Sequence, residues 1–249
     1  MASCPDDNLC KEKSAMKGVQ ILGFKKSGKT TLCEALLAEL AGRGVAPCAL
    51  KCTHNPGIDK QDTDTDRFMA HCRTVGAVAG SESALFFNTP RKLSDMLALL
   101  DGEVLVMEGG REHAVAPRVL VLREPAEAAQ LSDPGMVLGT FGEVRAPGLP
   151  HIESVAALAD LALERGFVLP ALDCAACGRD DCASLAADIM AGRATPGDCA
   201  TTQVAMAVSV GGRRLTLNPF VERILASGIR GLVSELKGFG PGAVEIRID

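Results

Sequence analysis

The sequence predicts an α/β fold, a mostly parallel sheet covered by helices on both faces, followed by a small C-terminal α+β module with a four-cysteine metal site. Three observations predict it. An apolar run at Val19–Leu22 breaks into a glycine-bounded loop and then a helical repeat; strand-length apolar runs alternate with helical repeats as far as Arg165; and four cysteines crowd between Cys174 and Cys199. Alternating strands and helices favour parallel pairing, because each crossover helix covers a face of the sheet.

The first run ends at Gly23, and after four intervening residues comes Gly28-Lys29-Thr30-Thr31, a complete Walker A motif and the mark of a P-loop NTPase. With no side chain at either glycine, backbone N–H groups of the loop can turn inward on phosphate oxygens. Lys29 then reaches the β- and γ-phosphates as a catalytic cation, and Thr30 offers its hydroxyl to Mg²⁺. The helix that starts here points its positive end at the same anion. Lys26, Ser27 and Thr31 join Gly23, Gly28, Lys29 and Thr30 in the expected triphosphate-binding set. Leu32, Leu36, Leu37 and Leu40 fall at helical spacing before Gly42 and Gly44, so strand, loop and helix arrive in the order the motif needs.

A chain of 249 residues has room for one large domain or a main domain with a companion. Its 26 basic and 31 acidic residues leave a formal charge of −5, which argues against nucleic acid as a partner. With no Trp, no Tyr and eight Phe it also lacks stacking platforms for single strands. Residues 1–15 carry Asp6, Asp7, Lys11, Glu12 and Lys13, read as a disordered leader, and hold no signal-peptide core. No later stretch is apolar over a membrane-spanning length. The expectation is a cytoplasmic protein without a membrane partner, in which the spacing of the ten cysteines is to be read for metal or redox chemistry rather than disulfides.

Val45–Cys52 reads as a second strand whose polar end, Lys51-Cys52-Thr53-His54, borders the ligand crevice of an open α/β sheet. The carboxylates from Asp59 to Asp66 either offer Mg²⁺ a ligand or belong to a solvated loop leading into a helix. Helices are expected over Phe68–Ala77 and over Leu93–Leu100, the latter capped by Ser94 or the turn before it, with a strand at Ala84–Asn88 between them. Glu103–Met107 is a buried strand ending at Glu108-Gly109-Gly110. A carboxylate at that edge suits a Walker B role, catalytic through the Mg²⁺ shell or an attacking water, while the glycines admit the γ-phosphate; the alternative is a glutamate that only ends a strand. Further strands are expected over Arg118–Glu124 and Gly135–Thr140, then a helix over Ile152–Arg165.

The expected domains are the leader, a P-loop nucleotide-binding domain over 16–168, a four-cysteine domain over 169–202 and a small module over 203–249. In that module strands at Gln203–Val210 and Arg213–Asn218 flank Gly211-Gly212, a helix from Pro219 is weakened or broken at Gly228 and Gly231, and Ala243–Ile248 forms a last strand. Cys174, Cys177, Cys182 and Cys199 offer four soft ligands that suit an Fe–S cluster or zinc, and spacing alone does not choose between them.

Cys174-x-x-Cys177-Gly178-x-x-x-Cys182, the helical segment through Gly192 and then Cys199 resemble the four-cysteine [4Fe–4S] domain of electron-transfer and corrinoid iron–sulfur proteins. The order of motifs in the first 165 or so residues resembles the molybdopterin-guanine dinucleotide biosynthesis protein B family. It comprises the P-loop, Lys51-Cys52-Thr53-His54, Asp64-Thr65-Asp66-Arg67-Phe68, Val75-Gly76-Ala77, Val106-Met107-Glu108-Gly109-Gly110 and Arg118-Val119-Leu120-Val121-Leu122-Arg123. Lys51, Thr53 and His54 match the family's Lys-x-Thr-His, with Cys52 in place of its usual first histidine; Asp64 matches its Asp before a glycine-alanine helix end; Glu108 and Gly109 match its Val-Glu-Gly. The resemblance implies a homodimer that binds GTP with Mg²⁺, held by Thr30, Asp64 and Glu108, and hydrolyses it weakly. It further implies an accessory to the molybdopterin guanylyltransferase and to a molybdo- or tungsto-enzyme. No Asn-Lys-x-Asp guanine-reading motif is visible, so GTP rather than ATP rests on the resemblance. The other function the residues allow is a redox or metallocluster maturation protein in which nucleotide turnover gates delivery of electrons or a cluster.

Overall fold

The computed structural model describes residues 16–53, 63–201, 208–210, 213–215, 219–239, 244 and 246. The leader over 1–15, His54 and most of the expected last strand lie outside the described residues. In chain order the elements are β1 (Lys17–Leu22), α1 (Lys29–Gly42), β2 (Pro47–Lys51), α2 (Asp64–Met69), β3 (Thr74–Val78), β4 (Ser83–Phe87), α3 (Leu93–Leu97), β5 (Val104–Glu108) and β6 (Arg118–Val121). They continue with α4 (Ala128–Leu131), β7 (Val137–Phe141), β8 (His151–Ile152), α5 (Val155–Arg165), α6 (Cys182–Met190), β9 (Val208–Val210), β10 (Arg213–Leu215) and α7 (Pro219–Ser234). The chain divides into two compact units, one ending at Leu172 and the other beginning at Asp173.

In the first unit six strands form one sheet in the order β2-β5-β1-β6-β7-β8, and every pairing is parallel. The central strands β1, β5 and β6 are buried almost throughout, which explains their near-continuous apolar runs. Side chains alternate across a strand, so Val19 and Ile21 of β1 take one face while Gln20 and Leu22 take the other. α1 and α5 pack together and against β1 and β5. On the Leu22 side, Leu120 and Leu122 meet Leu131 of α4, Val137 and Ala146, with Phe24, Val144 and Leu149 at the margin. The expected architecture, a mostly parallel sheet with helices against it, is the one observed.

Several local expectations are corrected. The helix read over Phe68–Ala77 stops at Met69, and Thr74–Val78 is β3, paired antiparallel with β4 from Thr74↔Phe87 to Val78↔Ser83. β-Branched Thr74, Val75 and Val78 favour extended backbone, Gly76 disfavours a helix, and the ribbon closes on a turn in which Ala79 N–H donates to Glu82 O at 2.8 Å. α2 starts instead at Asp64, capped by the Thr63 hydroxyl, which accepts from Asp66 N–H. α3 ends at Leu97 rather than Leu100, and its N-cap is Lys92 without a side-chain bond, so Ser94 lies inside the helix. Ile152 belongs to β8; α5 begins at Val155, where Ser154 accepts from Ala157 N–H at 3.1 Å. β6 ends at Val121, earlier than the expected Glu124, and β7 starts at Val137, later than the expected Gly135.

In the second unit α6 follows Cys182, and β9 pairs antiparallel with β10. α7 runs unbroken through Gly228 and Gly231, so of the expected weakening or break only weakening is open to them. A helix-interior glycine costs about 1 kcal/mol relative to alanine, and the 16-residue helix carries both.

Leu36, fully buried on α1, is expected to be among the residues that hold the first unit together. Leu36→Ala should lower its stability by about 2–5 kcal/mol in urea denaturation, whereas Leu99→Ala, at a position 58% exposed, should change it by less than about 0.5 kcal/mol.

Candidate functional site

β1 delivers the chain at the carboxyl edge of the sheet, where Gly23 turns it into the loop. A side chain at Gly23 would collide with Ser27 Oγ and the Val121 carbonyl, so only glycine lets the loop lie against the end of β6. Lys26 and Gly28 both adopt left-handed backbone, with φ +65° and +96°, and Gly28 becomes the N-cap of α1. Lys29 Nζ donates to the Phe24 carbonyl at 2.7 Å, which folds its ammonium back across the loop. Burial pushes the Lys29 pKa down, opposed by the Glu108 carboxylate nearby. Ser27 Oγ is buried and has no hydrogen-bond partner among the described residues. Such a hydroxyl needs a ligand oxygen or water to satisfy it.

Glu108, last residue of β5, enters from the neighbouring strand. Its Oε1 accepts from the Thr30 hydroxyl at 3.0 Å, and its Oε2 lies 3.9 Å from Lys51 Nζ, contributed by the register-paired residue of β2. The structure therefore brings together Gly23, Lys26, Ser27, Gly28, Lys29, Thr30, Lys51, Glu108 and Gly109, with Thr31 exposed on the first turn of α1. Thr53 is exposed beyond β2. Asp64 forms an ion pair with Arg67 on α2. Among the described residues no three His, Cys, Asp or Glu side chains gather for a metal ion. Mg²⁺ asks for less: it keeps most of its waters and takes one or two protein oxygens beside the phosphates, which the Thr30–Glu108 pair fits.

Three supporting groups escaped sequence reasoning. Gln20 and Arg118, fully and nearly fully buried, hydrogen-bond to the chain that follows Glu108. Burial pushes the Arg118 pKa down, and Arg111 acts in the same direction. Glu127 accepts from Arg123 N–H at 2.9 Å and Arg123 Nε at 2.7 Å, and these bonds, the backbone one first, lower its pKa. The Arg123 guanidinium stands over the Phe24 ring at 5.4 Å, beside the loop. Arg118 entered the sequence reading only as the first residue of a strand motif, and the other signal was a glutamine inside the apolar run of β1.

In the second unit Cys174 is exposed, Cys177 half-buried, and Cys182 and Cys199 buried. Asp173, Ala175 and Gly178 are left-handed, so the chain reverses repeatedly around the first two thiols. Asp173 Oδ1 accepts from Cys182 N–H at 2.8 Å, Asp181 caps α6, and Asp188 takes Arg179 and Arg193 at 2.7 Å each. The four thiols are not gathered into one set. Their donor chemistry nevertheless fits an Fe–S cluster.

A Walker A loop between a strand of a parallel sheet and the helix that follows it, with a carboxylate bonded to its threonine, defines a P-loop nucleotide-binding protein. The model of the family described as "Molybdopterin guanine dinucleotide synthesis protein B" matches residues 19–138, and that of "Putative Fe-S cluster" matches 169–200. A Bacillus subtilis protein named "Probable molybdopterin-guanine dinucleotide biosynthesis adapter protein" is 33% identical over 122 residues, covering 45% of this chain and 69% of the relative. A Methanocaldococcus jannaschii protein named "Putative molybdopterin-guanine dinucleotide biosynthesis adapter protein" is 24% identical over 245 residues, covering 94% of this chain and 98% of the relative. The solved structure of Bacillus subtilis MobB is 25% identical, covers 59% of this chain and 96% of that one, and superposes with a TM-score of 0.49. The chain belongs to the molybdopterin guanine dinucleotide synthesis protein B family. No described helix is long and apolar enough to cross a membrane.

The Asp188 carboxylate is held below its ordinary pKa of 3.8, first by the Arg179 hydrogen bond and then by Arg193. A lowered folded-state pKa stabilises above the unfolded value and is lost as pH falls through the folded one. Asp188→Asn should therefore speed hydrogen exchange over 182–193 at neutral pH, and the difference from wild type should shrink as pH drops below 3.8.

Proposed function

We propose that this protein binds GTP with Mg²⁺ at the P-loop, hydrolyses it slowly, and acts as an accessory in molybdenum cofactor biosynthesis that assists formation or delivery of molybdopterin guanine dinucleotide. The observation that carries the nucleotide reading is the Thr30–Glu108 hydrogen bond, which sets a hydroxyl and a carboxylate side by side next to Lys29 and the unpartnered Ser27 hydroxyl. Loop N–H groups and the first turn of α1 receive phosphate oxygens, and Ser27 Oγ donates to one of them. Lys29 exchanges the Phe24 carbonyl for the β- and γ-phosphates, and Lys51 adds a second cation at the same strand edge. Thr30 and Glu108 would hold Mg²⁺, which neutralises charge on the phosphate oxygens; Asp64 and His54 belong to the family pattern as further nucleotide-side groups. Preference for GTP follows the family name, with its guanine dinucleotide product.

Cys174, Cys177, Cys182 and Cys199 would hold one [4Fe–4S] cluster, a structural staple or one-electron carrier, with zinc the alternative. The partners in this reading are the guanylyltransferase, a molybdo- or tungsto-enzyme and a second copy of the chain. The names of the adapter-protein relatives support a partner within molybdopterin-guanine dinucleotide biosynthesis.

Lys29→Ala removes a charge-assisted contact, commonly about 1.5–3 kcal/mol, so calorimetric titration should show GTP affinity falling about 10–100-fold. Unchanged affinity would place the nucleotide elsewhere. In anaerobically purified protein Cys177→Ala should lose its iron and become protease-sensitive near residue 180 while still binding GTP. Iron retained in the variant would remove Cys177 from the ligand set, and stoichiometric zinc in wild type would replace the cluster.

A further inference from the structure

Arg118 is a buried cation that the nucleotide chemistry does not use. It is 5% exposed, on β6, and no carboxylate lies within ion-pair distance among the described residues. Burying a guanidinium costs several kcal/mol unless its donors are satisfied, and an apolar side chain of similar volume would pack there more cheaply. Its donors go to four acceptors: Gln20 Oε1 at 3.2 Å, Ser132 Oγ at 3.1 Å, Arg111 O at 2.8 Å and His113 O at 3.2 Å. Gln20, its register partner on β1, is fully buried, and its amide nitrogen donates to Gly109 O at 2.8 Å and Gly110 O at 2.6 Å.

Two side chains from adjacent strands thus hold the carbonyls of Gly109, Gly110, Arg111 and His113, four of the five residues that follow Glu108. Both glycines are left-handed, at φ +78° and +71°, and Gly109 N–H also donates to Ile21 O at 3.0 Å. A chain turning through two such residues has few internal bonds to fix it, and here the strands beneath supply them. The segment begins one residue after Glu108, which bonds Thr30 beside the phosphate-binding loop, so in the proposed site it borders the far end of the triphosphate.

We infer that Gln20 and Arg118 are positioning residues that hold 109–113 in a preset shape against the third phosphate, so that the site prefers triphosphate to diphosphate without having to order this loop. The inference rests on the reading that the P-loop binds a guanine nucleotide. Its physical content is preorganisation: order already present in the free protein is not charged against binding.

Gln20→Glu tests it. The new carboxylate still accepts from Arg118, which favours folding, but both N–H donors are lost and an oxygen faces two carbonyls. Amide exchange over 109–113 should accelerate, and affinity for a non-hydrolysable GTP analogue should fall about tenfold while affinity for GDP holds, as loss of two neutral hydrogen bonds implies. Gly110→Ala provides an independent route, leaving Gln20 and Arg118 intact. At φ +71° its Cβ would lie 3.0 Å from Cys52 Cβ and Sγ, so the loop must shift, and the same loss of analogue-over-GDP preference is expected. Equal weakening of both nucleotides, or an unchanged preference, in the folded variants would overturn the inference and leave the nucleotide site standing. Wild type that binds neither nucleotide would overturn the site reading, and the inference with it.

Discussion

The hydrogen bond between Thr30 and Glu108 ties the first turn of α1 to the end of β5, and it is possible only because β1 and β5 are parallel neighbours in register. Parallel pairing delivers both strand ends to the same edge of the sheet. β2, on the far side of β5, brings Lys51 to the same level, and β6 brings Val121 against Gly23. The strands fix the positions, and the loops need only carry the groups across the remaining few ångströms.

Glycine has a specific task at two of these crossings. At Gly23 a side chain would strike Ser27 and β6; at Gly109 it would strike the Cys52 carbonyl, in a left-handed conformation that would already strain it. Both permit backbone to approach backbone beside the site. The charge distribution follows the same geometry: Glu108 lies beside Lys51 and raises the Lys29 pKa, while Lys51 and Arg123 lower it. An excess of positive charge at a strand edge suits a polyanionic ligand despite the chain's net charge of −5.

The second unit is organised differently. Around Cys174 and Cys177 the backbone turns on left-handed residues, and order comes from carboxylates that accept N–H and guanidinium donors: Asp173 on Cys182, Asp181 on Ser184, Asp188 on Arg179 and Arg193. Few large apolar side chains contribute between 173 and 201, with Leu185 the most deeply buried. Thiolate–metal bonds are the natural complement to such a scaffold.

The P-loop, the carboxylate at the end of β5, the alternation of strands with helices and the cysteine spacing were all legible in the sequence, because each depends on residues close together in the chain. Local signals failed where a segment's state depended on pairing with another segment. Thr74–Val78 is a strand because β4 pairs with it, and Ile152 is in a strand because β7 offers it an edge. Gln20 and Arg118 lie 98 positions apart and become one network only when β1 and β6 align; nothing in either local sequence announces the other. The same is true of Thr30 and Glu108, whose chemistry was expected but whose contact spans 78 positions. Sequence by itself determined which groups could bind phosphate and metal, since that is a property of residue type and short spacing. Only the tertiary structure decided which of them meet, because strand register sets distances that the chain between them leaves free.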